Sequence, residues 1–265
     1  QEIGTINSAG AVDLSTMAVN DAGEIFAIDR SSGRNVLVQL DPTTGEISTV
    51  GELRALIGNS PYLANPAQNV LAMAFNELDQ LIAIVADRDG NSPFDPQDAA
   101  LVQIRTQPTA GFVQVHAVGD NTSKGAVLDG GGVTDDFTGV AVADGVAGIT
   151  DGTVFAIQRS GGNDVLVRIA SDGTLTSLGS VQIDGGGAGA TDIVGIGFDQ
   201  YGNLVAHDDS GRLIFLAPGD LAANDASAFQ ELTVGSSLIM PNLDGFAIGQ
   251  SGTNFRTYAY DSAGN

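Results

Sequence analysis

Oxygen donors are the one abundant chemical resource of this chain. Its 265 residues include 26 Asp and 6 Glu, against one lysine, nine arginines, two histidines and no cysteine. Without cysteine there is no thiolate nucleophile, no disulfide and no thiolate-held zinc or iron–sulfur site. What remains is carboxylate chemistry: coordination of hard cations, acid–base work and the capping of turns. Two arrangements stand out by spacing. Asp13, Asn69, Asp136, Asp192 and Asn242 each precede, by three residues, the first small residue of a motif that recurs along the chain. Brought around one axis they would form a polar ring at the mouth of a channel. Three carboxylates that close would raise at least one pKa or recruit a cation. In the plainer role, each side chain caps the turn into its own strand.

The second arrangement is the loop from Asp87 to Asp98. Asp87, Asp89, Asn91, Asp95 and Asp98 fall at positions 1, 3, 5, 9 and 12, the ligand spacing of a calcium loop. It departs from that pattern in three ways. Gly90 stands at position 4 rather than 6, Asp98 replaces the usual bidentate Glu, and strands rather than helices flank it. Calcium is the one cofactor these residues suggest, and an acidic surface loop stiffened by proline is the plainer role. Arg30 and Arg159 occupy equivalent places in near-identical segments, which suits a contact to a neighbouring repeat. His207 stands where other repeats carry an apolar residue, and His116 reads as structural. The runs Asp129-Gly130-Gly131-Gly132 and Asp184-Gly185-Gly186-Gly187 lack the lysine and helix start of a phosphate cradle, so they read as connections.

The elements that must position these residues are legible from internal repeats. Phe26–Leu40, FAIDRSSGRNVLVQL, and Phe155–Ile169, FAIQRSGGNDVLVRI, align without gaps and agree at nine of fifteen positions. A small–apolar–small–apolar motif begins at Thr16, Ala72, Gly139, Gly195 and Gly245, at spacings of 56, 67, 56 and 50 residues. Each copy is followed, after a turn rich in Gly and Asp, by a second apolar strand: Phe26-Ala27-Ile28, Ile82-Ala83-Ile84, Phe155-Ala156-Ile157, Val205-Ala206-His207 and Tyr258-Ala259-Tyr260. Alternating strands at Val36–Leu40, Ala100–Arg105, Val165–Ile169 and Leu213–Leu216 come third. Strands at Glu46–Val50, Val113–Val118, Leu175–Leu178 and Glu231–Val234 come fourth.

Four antiparallel strands in units of this length make the blades of a β-propeller. The expected fold is therefore all-β: a five-bladed β-propeller in a single domain, 1–265. The blades are expected at roughly 13–53, 69–120, 136–182, 192–238, and 242–265 together with 1–8. Small residues at alternate inner positions let five inner strands crowd one axis. Glu2–Asn7 resembles the outermost strands, so the N-terminal strand is expected to close the ring by pairing with the last blade and so remove a free sheet edge. That last blade reads as one strand short.

The blade text GEIFAIDR…LVQLDPTTGEISTVG resembles secreted bacterial proteins built from propeller repeats. The resemblance covers most of the chain at the level of repeat pattern. It implies blade architecture and a secreted or surface setting, and it does not name an activity.

Charge and composition narrow the function. The formal net charge of −22 argues against nucleic acid and anionic membrane surfaces, which need clustered Lys and Arg. No apolar run approaches the roughly 18 residues of a membrane span, so no membrane insertion is expected. Gln1 is compatible with a start just after signal cleavage, and the expected location is extracellular, at the cell surface or periplasmic. With no catalytic motif, the chain is expected not to be an enzyme. It reads as a noncatalytic binding or scaffold module whose partner is another protein or like subunits. The alternative is a glycosidase or lectin using the Asp-rich face to meet a glycan. None of the six Glu falls in the five-residue ring, and no Trp is available to stack a sugar. A further alternative is strand exchange between subunits of a fibre, suggested by the short last blade.

Overall fold

The architecture is seen in a computed structural model of the chain. It describes residues 13–57, 60–61, 68–87, 99–108, 112–117, 126–128, 137–160, 163–171, 173–183, 192–208, 212–231, 243–251 and 254–261. The all-β class holds, built from successive antiparallel meanders. The first is β1 (Leu14–Val19), β2 (Ile25–Asp29), β3 (Val36–Leu40) and β4 (Ile47–Ile57). Short β5 (Ser60–Pro61) folds back on β4. The second is β6 (Gln68–Phe75), β7 (Leu81–Asp87), β8 (Ala99–Ile104) and β9 (Phe112–Ala117), with β10 (Ala126–Leu128) pairing on β8. The third is β11 (Phe137–Val142), β12 (Val154–Ser160), β13 (Asn163–Ile169) and β14 (Leu175–Ser180). The fourth is β15 (Ile193–Phe198), β16 (Leu204–Asp208), β17 (Leu213–Leu216) and β18 (Gln230–Glu231). The hairpin of β19 (Leu243–Ser251) and β20 (Asn254–Asp261) comes last.

The first strands of these sheets are neighbours. β1 lies against β6 and β19, β11 against β6 and β15, and β15 against β19. Gly139 shows why small residues recur there. A Cβ on it would lie 2.9 Å from the backbone nitrogen of Ile196, so two inner strands meet backbone to backbone. Each inner strand also shifts register at the same place, between Leu14 and Met17, Val70 and Ala72, Phe137 and Gly139, Ile193 and Gly195, and Leu243 and Gly245. A bulge re-aims the residues before it. Its recurrence is the sequence repeat expressed in backbone.

The core lies between sheets rather than within one. On β12, Phe155 and Ile157 pack toward the fourth sheet with Ile193, Leu204, Ile214 and Phe229, while Val154 and Ala156 pack toward the second with Ala72, Ile84 and Leu101. Both faces are covered, which is why the second strands read as unbroken apolar runs and not as alternation. Each fully buried side chain such as Phe155 or Ile157 contributes about 1.5–3 kcal/mol of transfer free energy.

Two features go beyond the sequence expectation. β4 runs past its bulge opposite Leu37 and Val38, leaves β3 after Glu52, and pairs in parallel with β9 of the second sheet, Glu52 to Ala55 alongside Phe112 to Val115. The first two meanders therefore share one continuous sheet. The fourth carries a short helix, α1 (Pro218–Ala222), with proline at its start and Leu221 buried beneath it. Proline fits the first helical turn, where its missing N–H costs nothing.

Turn chemistry matches its residues. Asp41 accepts hydrogen bonds from the backbone of Thr43 at 2.7 Å and Thr44 at 3.1 Å, and Gly45 takes the left-handed φ of 70° that closes the turn. Those amides hold the Asp41 carboxyl below its ordinary range. The strand Glu2–Asn7, expected to close the ring, lies outside the described residues.

Candidate functional site

The five expected ring positions are only partly within view. Asp136 and Asn242 lie outside the described residues, and Asn69 sits in β6. Asp13 is exposed, and its backbone N–H donates to Asp29 Oδ1 at 3.2 Å. Asp192 has a left-handed φ of 66°, tolerable for Asp, and its carboxylate pairs with Arg159 at 3.3 Å. Of the calcium-loop spacing, Asp87 ends β7, while Asp89, Asn91, Asp95 and Asp98 lie outside the described residues.

At this end of the strands, the described polar groups tie one meander to the next. Arg30 donates to the carbonyl of Val70, on β6, at 2.8 Å. Asp164 is 1% exposed, accepts from the Ile193 backbone N–H at 2.5 Å and pairs with Arg159 at 3.3 Å. Burial pushes the Asp164 carboxyl above its ordinary value, outweighing the Ile193 amide and the Arg159 guanidinium, which pull it down. Asp208 is buried and holds Arg212 at 2.6 Å. His207 is buried within β16, opposite Gly195 and Leu213, as the apolar residues Ile28, Ile84 and Ile157 at that place in other repeats are.

The opposite end carries a carboxylate concentration that residue spacing does not mark. A cavity of about 110 Å³ opens among the C-terminal ends of the inner strands. Asp21, Glu77, Asp144 and Asp199 line it, one from the first hairpin of each of four successive meanders. The local cause is a repeated turn. Asn20 Oδ1 accepts from Glu24 N at 2.8 Å, Asn76 Oδ1 from Leu78 N and Gln80 N, and Asp199 Oδ1 from Tyr201 N and Asn203 N. The first Asn or Asp after the inner strand is spent on the turn. In the first two meanders, the next residue is the acid that reaches the mouth.

The third meander has a longer loop, and there Asp151 accepts from Gly145 N at 2.9 Å. Carboxylate oxygens of Glu77, Asp144 and Asp151 lie within 4.8 Å of one another, all three residues exposed. The Asp21 carboxyl is pushed up, first by its partial burial and then by the charges of Asp79 and Asp144. Such a set of hard oxygen donors could hold a divalent cation or meet an ammonium or guanidinium group. The signal was present in sequence, in Asn20-Asp21, Asn76-Glu77 and Ala143-Asp144 directly after the small–apolar motif, but it looks like ordinary turn composition until the hairpins share a face.

No known sequence family and no curated protein matches the chain. Solved structures do. A chain of the crystal structure of a nidogen/laminin complex matches at 17% identity and TM-score 0.50, over 97% of this chain and 74% of that one. The PQQ-bound aldose sugar dehydrogenase of Streptomyces coelicolor matches at 13% identity and TM-score 0.47, over 97% and 96%. The Dos1 propeller matches at 11% identity and TM-score 0.40, over 97% and 59%. At such identities the likeness speaks of architecture, and that architecture is propeller-like. One expectation is corrected here. The lack of a catalytic motif leads, on sequence alone, to the expectation that the chain is not an enzyme. That ground does not hold, since chemistry can be grafted on such a fold without a motif legible in sequence. Among the described residues, no helix is long and apolar enough to cross a membrane.

Proposed function

We propose that this chain is a single five-bladed propeller domain, closed by its N-terminal strand, that serves as an extracellular or cell-surface binding and scaffold module in a protein assembly. The observation that carries the binding role is the division of labour in the inner hairpins. In the first two, Asn20 and Asn76 hold the turn, and the next residues, Asp21 and Glu77, are left with Asp144 at a common mouth around an open cavity. Fold requirements account for the first residue and not for the second. The cyclic neighbourhood of β1, β6, β11, β15 and β19 supports five blades, and the likeness of Glu2–Asn7 to the outer strands supports the closure.

Cross-linking mass spectrometry on the native source tests the role. Reproducible cross-links from this chain to a second protein, or to another copy of itself, are expected on the cell exterior. A freely diffusing monomer without any such cross-link would refute it.

A further inference from the structure

Among the described residues, two large apolar side chains stand exposed: Leu78 at 68% and Tyr201 at 74%. Isolated exposed apolar residues are ordinary on a protein surface. These two share a place in the repeat. Both occupy the third position of the same five-residue turn, 76–80 in the second meander and 199–203 in the fourth, and blade one carries Ala22 there. Each is presented rigidly, because its backbone N–H is held by the turn's first side chain: Leu78 by Asn76 at 3.1 Å and Tyr201 by Asp199 at 2.9 Å. Rigid presentation lowers the ordering cost of a contact. The loop of the third meander, with Asp144 and Asp151, joins the second and fourth at this mouth. A Cβ on Gly202 would touch its Val146 side chain at 3.4 Å.

Charge decides what fits. The four inner hairpins, residues 20–24, 76–80, 143–153 and 199–203, carry seven acidic residues and no Lys or Arg. An occupant of this face must bring positive charge to the centre and apolar surface to Leu78 and Tyr201. A metal ion alone would leave both side chains unused, and a polyanion would be repelled.

We propose that this mouth docks a basic segment of a partner protein in which Lys or Arg stands beside an aliphatic or aromatic residue. The proposal rests on the reading of the chain as a binding module and specifies its face and its partner's chemistry. Tyrosine is among the side chains that anchor interfaces, Leu78 adds apolar area on the second meander's turn, and the acids supply steering and selection against acidic competitors.

The test is fluorescence anisotropy of the whole chain with synthetic peptides of graded composition: Lys/Arg with Leu/Phe, Lys/Arg with Ser/Gly, and Asp/Glu with Leu/Phe. The first class is expected to bind about tenfold tighter than the second, and the third not at all. Leu78→Ser combined with Tyr201→Ser should reduce the first class to the level of the second. Glu77→Gln combined with Asp144→Asn should weaken both basic classes and flatten their salt dependence. Glu231→Gln, an exposed acid of the outer strand, should change nothing. Equal binding of the two basic classes, indifference to the Leu78/Tyr201 pair, loss with Glu231→Gln, or no binding of any peptide overturns the proposal. Cross-links that map to the outer strands would then leave the binding-module reading standing with a different face.

Discussion

The segments Phe26–Leu40 and Phe155–Ile169 share their apolar skeleton and solve one problem in two ways. Both must tie a second strand to the start of the next inner strand. In the first meander, Asp29 spends its carboxylate locally, on Ser31 N at 2.8 Å, Ser31 Oγ at 2.9 Å and Asp13 N. Arg30 reaches across, to a carbonyl. In the third, Gln158 replaces Asp29, and Asp164 stands where the first has Asn35. The buried carboxylate then reaches across to an N–H, and Arg159 braces it together with Asp192. Phe, Ala, Ile, Val and Leu are retained because they face two packed neighbours. The polar residues are free to vary so long as the neighbouring backbone group is satisfied.

The sharpest way to break that comparison is at Asp164. Asp164→Ala orphans the Ile193 N–H and strips Arg159 of its buried partner, and should cost about 3 kcal/mol. Asp164→Asn, which copies the native residue of the first meander, keeps an acceptor and should cost under about 1 kcal/mol at pH 7. Urea melts measure both; equal losses would mean that the carboxylate charge, not the acceptor, holds the junction. The pH dependence has a definite sign. A carboxyl raised in the folded state makes the native protein hold more protons than the unfolded chain, so its contribution is fullest below the ordinary value of 3.8 and is lost as pH rises through the raised value. The gap between wild type and Asp164→Asn should therefore favour the wild type more at acidic pH than at neutral pH.

A second comparison sets Gly139 beside Thr16 and Ala72, which share its register position in other inner strands. Those positions carry side chains, whereas a Cβ on Gly139 meets backbone at 2.9 Å. Gly139→Ala should cost about 2 kcal/mol through overpacking, seen as a fall in Tm of several degrees. A neutral result would show that the third and fourth inner strands can separate as readily as the first and second.

These contrasts also explain what could be read in advance. Strand order, the inner small residues and the hairpin turns are dictated locally, by Gly139 and its kin and by Asn20, Asn76 and Asp199. They were legible from residue type and spacing. The β4–β9 pairing was not, because nothing in Glu52–Ala55 names a parallel partner some sixty positions away. The Asp21–Glu77–Asp144 mouth was hidden for a related reason. Each acid sits in a turn where acids are common, and only the ring-wise neighbourhood of four hairpins gathers them. The Arg30 and Arg159 contacts to the next meander were visible because the repeat itself aligned them.

The smallest expected effect lies at that mouth, and it separates the two ends of the strands. At the Asp164 end, the carboxylates of Asp164 and Asp208 are buried and paired, so removing one is costly. At the mouth, Asp21, Asp79 and Asp144 are exposed and alike in sign, so removing one relieves repulsion. Asp144→Asn should raise Tm by no more than about 2 °C at low salt, and the gain should vanish at about 1 M salt, where the screening length is near 3 Å. It should also bring the Asp21 carboxyl back toward 3.8, because one of the two charges raising it is gone. Carboxylate titration followed by NMR measures that shift. If a divalent cation occupies the cluster of Glu77, Asp144 and Asp151, the sign reverses. The substitution would then lower Tm in calcium and raise it only in chelator. The two melting curves, with and without calcium, distinguish a mouth left open for a basic partner from one already filled.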